Sequence, residues 1–178
     1  MSASNLSTNL QGIWQPQPRT GSAAPEATLQ SWLNETGLLT ERLRSICAGA
    51  YRLEVQHELT RNDADGLHRE VALCCGDQLC IYALTDIPQG TLRAHPWLAD
   101  LGNDALGETL QSRADVSRST FEYALLDSAS LPVRAAELQT GPAWARRSDF
   151  FIASATVSVT EIFLAALADC EQQPGIAG

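Results

Sequence analysis

The sequence predicts an α+β domain: a single six-stranded antiparallel sheet with flanking helices and an internal ligand site. Three observations carry this. The apolar repeat is about 3.6 residues up to residue 50 and two residues after it. The two-residue repeats come in neighbouring runs joined by short turns, which makes consecutive hairpins. The chain has 178 residues, 44 % of them hydrophobic, enough to bury roughly 70 % of the unfolded surface, so one domain can close around a cavity.

Residues 1–25 are rich in Ser, Asn, Gln, Pro and Gly, with Ile13 and Trp14 as isolated apolar anchors, and read as a flexible arm. The domain proper is expected over 26–170 and a short tail over 171–178. Pro25 opens a helical pattern with Leu29, Trp32 and Leu33 on one stripe. A second helix is expected over Leu38 to Cys47, where Leu39, Leu43 and Ile46 recur at helical spacing until Gly49 stops it. In YRLEVQHEL, Tyr51, Leu53, Val55, His57 and Leu59 alternate with polar residues, the mark of a half-buried strand. Strands over Leu67–Cys75 and Gln78–Ile87 flank the Gly76-Asp77 turn, and Pro88 and Gly90 close the hairpin. Residues 91–112 read as helical or irregular. A strand near Ser119–Leu126, an irregular stretch over Asp127–Pro142, and a last hairpin of Arg146–Ser154 with Thr156–Ala165 complete the chain.

Composition excludes several function classes. The net charge is −9, and all twelve basic residues are arginine. Without lysine there is no Schiff-base chemistry, no ordinary anchor for pyridoxal phosphate and no standard P-loop. The acidity speaks against nucleic acid and anionic membrane as partners. No apolar run approaches the roughly 18 residues of a membrane-crossing helix, and the N-terminus lacks a secretory pattern. Five cysteines, Cys47, Cys74, Cys75, Cys80 and Cys170, are expected as reduced thiols of a cytoplasmic protein. Their spacing suits buried apolar residues and not a zinc site, so no metal is expected.

Strand parity singles out two charges. In LHREVALCC, Arg69 shares a face with Leu67, Val71 and Leu73. In VSVTEIFL, Glu161 shares a face with Val157, Val159 and Phe163. Charges on apolar faces are rarely left without partners. Either the two form a buried ion pair, or they stand at opposite ends of a walled cavity. In the second case arginine suits a planar carboxylate, and a shielded carboxyl is suited to sharing a proton. His57 reads as a core histidine, and His68 and His95 as exposed. LGNDALGETL reads as a turn entering a short helix, able to turn backbone N–H groups toward an anion. Arg146 and Arg147 are adjacent, so at least one must leave the apolar face.

The ordered segments SWLNETGLLTERLR, HREVALCCGDQLCIYALTDIP, LGNDALGETL and WARRSDFFIASATVSVTEIFL resemble chorismate pyruvate-lyase, also called 4-hydroxybenzoate synthase, over about Leu29–Leu164. The resemblance implies conversion of chorismate to 4-hydroxybenzoate and pyruvate, the first step toward the ubiquinone ring, with no metal or organic cofactor and the product shielded by flaps. It places the family's carboxylate-gripping arginine on Arg69, the hydroxyl-contacting glutamate on Glu161, and backbone contacts near Leu39 and Leu106. Arg146 or Arg147 is the candidate for the enolpyruvyl carboxylate. The chain is expected to act as a monomer. Two departures stand out: Leu84 occupies the place of an arginine before T-x-x-P, which would remove a cation near the site, and Ala165 replaces a proline. The alternative is a non-catalytic domain binding a small aromatic acid, akin to the effector-sensing domains of bacterial regulators. The few polar residues before the domain leave that reading little room.

Overall fold

The structure, a computed structural model, describes residues 10, 12–19, 24–61, 66–102 and 104–172, with only the backbone of Thr60 and Arg61. Strands β1 (Tyr51–Arg61), β2 (Gly66–Cys75), β3 (Gln78–Ile87), β4 (Val116–Arg118), β5 (Glu122–Leu126), β6 (Ala143–Ile152) and β7 (Ala155–Phe163) form one antiparallel sheet. The order is β1-β2-β3-β7-β6-β4, and β5 also pairs with β6. The α+β antiparallel architecture is the expected one. The sheet has seven strands because the run near Ser119 is two short strands, both lying against β6.

Turn chemistry explains the first hairpins. Gly76 turns β2 into β3 at φ +58°, where a side chain would be strained. Gly66 starts β2 at φ +94°, and a Cβ there would stand 2.0 Å from the Ile87 carbonyl. No other residue fits so close to the neighbouring strand.

Helices α1 (Ala27–Leu33) and α2 (Leu39–Ile46) precede the sheet; α3 (Gln89–Ala94) and α4 (Leu106–Gln111) follow β3; α5 (Val133–Leu138) and α6 (Ala166–Gln172) complete the set. Helix α5 falls in the stretch expected to be irregular, and α6 follows the expected last strand and runs across the expected boundary between domain and tail at residue 170. Inside α6, Glu171 accepts a hydrogen bond from Trp32 Nε1 and pairs with Arg42 at 3.2 Å, tying the C-terminal helix to α1 and α2. The arm is anchored where it is described: Gln15 bridges Tyr123 through two backbone hydrogen bonds of 2.9 and 2.7 Å.

The face of the sheet that carries Arg69 and Glu161 supports two apolar clusters. Trp32, Leu33, Leu39, Leu43, Ile81 and Phe163 make one under α1, α2 and α6. Leu98, Leu106, Leu110, Phe150, Ile152 and Val157 make the other under α4. Each fully buried side chain of this size contributes about 1.5–3 kcal/mol. A third cluster, including Ala72, Tyr82, Leu84, Leu126, Ala135 and Ile162, packs α5 and Trp14 on the opposite face.

The expectation of reduced thiols is corrected at one pair. Cys47 ends α2 and Cys75 ends β2, with Cα atoms 5.3 Å apart, and they form a disulfide. Cys75 shares parity with Leu73 and so faces α2, a proximity that a spacing of 28 residues does not disclose. Cys74, Cys80 and Cys170 are free and buried. Among the described residues, no helix is long and apolar enough to cross a membrane.

Candidate functional site

Residues directly opposite in the ladders share a face, so the site can be built rung by rung. One rung is Val71–Ala83–Glu161–Arg146 and the next is Arg69–Thr85–Val159–Ser148. Arg69 on β2 and Glu161 on β7 therefore face the same way with β3 between them, their backbones roughly 12 Å apart for two strand spacings of about 4.8 Å and a two-residue offset of about 6.8 Å along the strands. A cavity lies between the two apolar clusters of this face, and Arg69, Glu161, Ala83 and Val71 are on its walls. Small Ala83, at the centre, leaves the space open.

The cavity reading, and not a direct Arg69–Glu161 pair, describes the molecule, since each charge has its own partners. Arg69 is 2 % exposed. Its Nη2 donates to the Gly102 carbonyl at 2.6 Å and the Asp104 carbonyl at 3.1 Å. Its Nη1 lies 3.6 Å from Glu58 Oε2, and no hydrogen bond engages it among the described residues. Burial pulls the guanidinium below its ordinary pKa, with Glu58 opposing. Glu58 was expected on the wet face. A bulge between Val55 and His57 reverses parity there, placing Glu58 opposite Arg69 and His57 opposite Glu70 on the other face. His57 is thus not the core histidine that alternation suggested.

Two flap segments close the cavity. One is Gly37–Thr40, leading into α2, and the other is Asp104–Gly107, leading into α4. Leu39 and Leu106 are the first residues of those helices, and neither helix has a capping side chain. The N–H groups of the first two residues of each helix therefore lack intrahelical acceptors beside the cavity. The leucine side chains sit in different apolar clusters, so each flap is held by its own core.

Around Glu161 the structure corrects one candidate and adds another. Arg146, 0 % exposed, donates Nε to Glu161 Oε2 at 2.6 Å. Its Nη1 donates to the carbonyls of Leu33 at 3.0 Å and Glu35 at 2.5 Å, so it pins the C-terminal end of α1, where a cation is favoured. Phe121 covers the guanidinium at 4.1 Å. Arg147 points to the opposite face, donating to Glu122 at 2.8 Å and lying over Trp14, outside the cavity. Alternation along β6 allows only one of the pair inside. Arg118, which sequence reasoning missed, lies on the cavity wall with Nε on Ser148 Oγ at 2.8 Å and Nη2 at 3.4 Å from Glu161 Oε2. It sits on a three-residue strand, too short to show a period. Leu84 packs in the third cluster, across the sheet from the cavity. Its presence subtracts no cation from this site.

A second polar group occupies the opposite face. His68 was expected to be exposed but is 3 % exposed. Its Nδ1 is 2.7 Å from Asp86 and its Nε2 2.9 Å from Glu70, and Tyr82 donates to Glu70 at 2.5 Å. The bonds to Asp86, then Glu70, push the imidazole pKa up to about 9. A folded-state pKa above the unfolded 6.5 stabilises fully below pH 6.5 and is lost as pH rises through about 9. The melting temperature should therefore fall between pH 6.5 and 9. In His68→Gln, melted across the same range, that fall should shrink. Among the described residues no three His, Cys, Asp or Glu side chains gather in a group that could hold a metal.

Comparison with known proteins agrees with this architecture. A family profile described as chorismate lyase matches residues 9–171. A Methylococcus capsulatus protein named "probable chorismate pyruvate-lyase" is 33 % identical over 155 residues, 78 % of this chain and 96 % of its own length. A protein of the same name from Pseudomonas aeruginosa strain UCBPP-PA14 is 32 % identical over 179 residues, covering 93 % and 96 %. One from Halorhodospira halophila is 34 % identical over 174 residues, covering 84 % and 92 %.

Proposed function

The chain belongs to the chorismate lyase family, and from that premise we propose that it converts chorismate into 4-hydroxybenzoate and pyruvate, supplying the ring acid of ubiquinone. The observation that carries this reading is Arg69 Nη1: a buried cationic donor without a hydrogen bond among the described residues, on the wall of a cavity that also holds Glu161. Such a donor is expensive to leave unmet, and a planar carboxylate meets it. Arg69 grips the ring carboxylate, assisted by the backbone N–H groups at Leu39 and Leu106. Glu161 accepts from the C4 hydroxyl; Oε2 is taken by the arginines, and Oε1 takes no hydrogen bond from the described residues.

The reaction balances without a co-reactant. The C4–H electron pair becomes ring π density, the C3–O bond breaks, and its pair leaves with enolpyruvate. The proton lost at C4 is matched by one gained at the enolpyruvate methylene, giving pyruvate. Aromatisation supplies the driving force, so the protein's contribution is to hold the ring, exclude water and stabilise the departing charge. The test is to mix pure protein with chorismate and follow 4-hydroxybenzoate absorbance and pyruvate together. Equal amounts of both should form. Tight 4-hydroxybenzoate binding without turnover would assign the chain instead to the non-catalytic aromatic-acid binders.

A further inference from the structure

We propose that Arg118 is the residue that binds the enolpyruvyl carboxylate of the substrate and stabilises the leaving enolpyruvate. The assignment rests on the lyase reading above and extends it to the half of the substrate that the product lacks.

Chorismate is a dianion. Its ring carboxylate and C4 hydroxyl lie on one axis, and the enolpyruvyl ether, at C3, branches beside the hydroxyl. With the ring carboxylate on Arg69 and the hydroxyl on Glu161, the branch must leave the axis near Glu161. The sheet order runs from β2 through β3 and β7 to β6 and β4, so Arg118 stands beyond Glu161 from Arg69. Its backbone pairs with Phe150 on the rung past Ser148, and its side chain reaches back over Ser148 toward Glu161.

The neighbouring cations are not on the cavity wall. Arg146 is fully buried and spends its Nε on Glu161 and its Nη1 on carbonyls at the end of α1; its Nη2 makes no hydrogen bond among the described residues, but the side chain does not line the cavity. Arg147 is on the other face with Glu122. Among the described residues, the arginines on the cavity wall are Arg69 and Arg118. Arg118 Nη1 donates no hydrogen bond to the described residues, and its Nη2 contact with Glu161 is long at 3.4 Å. Phe121 and Phe150 lie 4.4 and 4.6 Å from its guanidinium, fixing the plane while leaving the fork edge for an anion. Burial pulls this guanidinium below its ordinary pKa, with Glu161 opposing. As the C3–O bond breaks, the leaving group gains a second negative charge, so this cation binds the transition state more tightly than the ground state.

The experiment compares two ligand pairs on Arg118→Gln and Arg118→Lys. The first pair is chorismate, by kcat/KM, against 4-hydroxybenzoate, by Kd. The second needs no turnover: 3-carboxymethoxy-4-hydroxybenzoate, which carries a second carboxylate on the ether, against 3-methoxy-4-hydroxybenzoate, which does not. Arg118→Gln should lose about 10- to 100-fold in kcat/KM and a similar factor for the dianionic ether. The Kd of 4-hydroxybenzoate and of the methoxy compound should move less than threefold. Arg118→Lys should recover part of the loss. Equal losses on all four ligands would make Arg118 only a support for Glu161, and no loss on the dianions would remove it from the substrate; either result overturns the proposal. If the unaltered protein turns over no chorismate, the lyase reading fails, while the ether pair still decides whether Arg118 binds a carboxylate there.

Discussion

Arg69→Ala is expected to weaken chorismate and 4-hydroxybenzoate together, by roughly one to two decades each, because the ring carboxylate is present in both. A hydrogen bond to a charged partner is worth about 1.5–3 kcal/mol. The same guanidinium also holds the carbonyls of Gly102 and Asp104, at the root of the flap that carries Leu106. Losing it removes the carboxylate fork and loosens the wall beside it, so the upper end of the range is expected. The fold should survive, since Glu58, whose side chain is 36 % exposed, can rehydrate when its partner goes. Arg69→Lys separates the two contributions: it keeps the charge but not the planar fork, and should recover some ligand affinity without restoring the flap contacts. Titration of 4-hydroxybenzoate onto both variants measures this. An unchanged product Kd in Arg69→Ala would make Arg69 a flap strut and remove it from carboxylate binding.

The parts of the site legible in the sequence are those where alternation runs unbroken. Residues 67–73 of β2 and 158–163 of β7 each keep strict register with β3, so Arg69 and Glu161 stand out as charges among apolar residues. The bulge in β1 is invisible to a period of two. It reverses every residue beyond it, which hides Glu58 as the counter-ion of Arg69 and misplaces His57. Arg118 is hidden for another reason: three residues make no period, and the strand exists because β6 is long enough to pair with it. The six-residue α5 is likewise short, and its cover over Ala72 and Tyr82 is a tertiary fact. His68 misleads because polarity was read as exposure, whereas two carboxylates can satisfy a buried imidazole. The disulfide needs the end of α2 to meet the end of β2, a juxtaposition set by packing and not by spacing.

Glu161→Gln should lower kcat by about 100-fold and move the 4-hydroxybenzoate Kd by less than tenfold, if Glu161 takes part in the chemical step. Glutamine keeps an oxygen that can accept from the C4 hydroxyl, so binding is largely retained. It cannot take or return a proton, a role worth about 10²–10⁴ in rate. The same change also has a structural consequence. Glu161 is the counter-ion of Arg146, which is 0 % exposed. Stranding a buried charge typically costs about 3–5 kcal/mol, and the glutamine oxygen, by still accepting from Arg146 Nε, should hold the loss to the lower end. For a chain of this size that lowers the ligand-free melting temperature by about 10 °C. The two effects separate in one set of measurements, because kcat is read well below the transition, where both proteins are folded. The double variant Arg146→Met, Glu161→Gln should show a smaller stability loss for the second substitution than the single variant does, the signature of a coupled pair. If the melting temperature falls while kcat holds, Glu161 serves only as the counter-ion of Arg146 and Arg118, and the proton must move between C4 and the departing enolpyruvate without it.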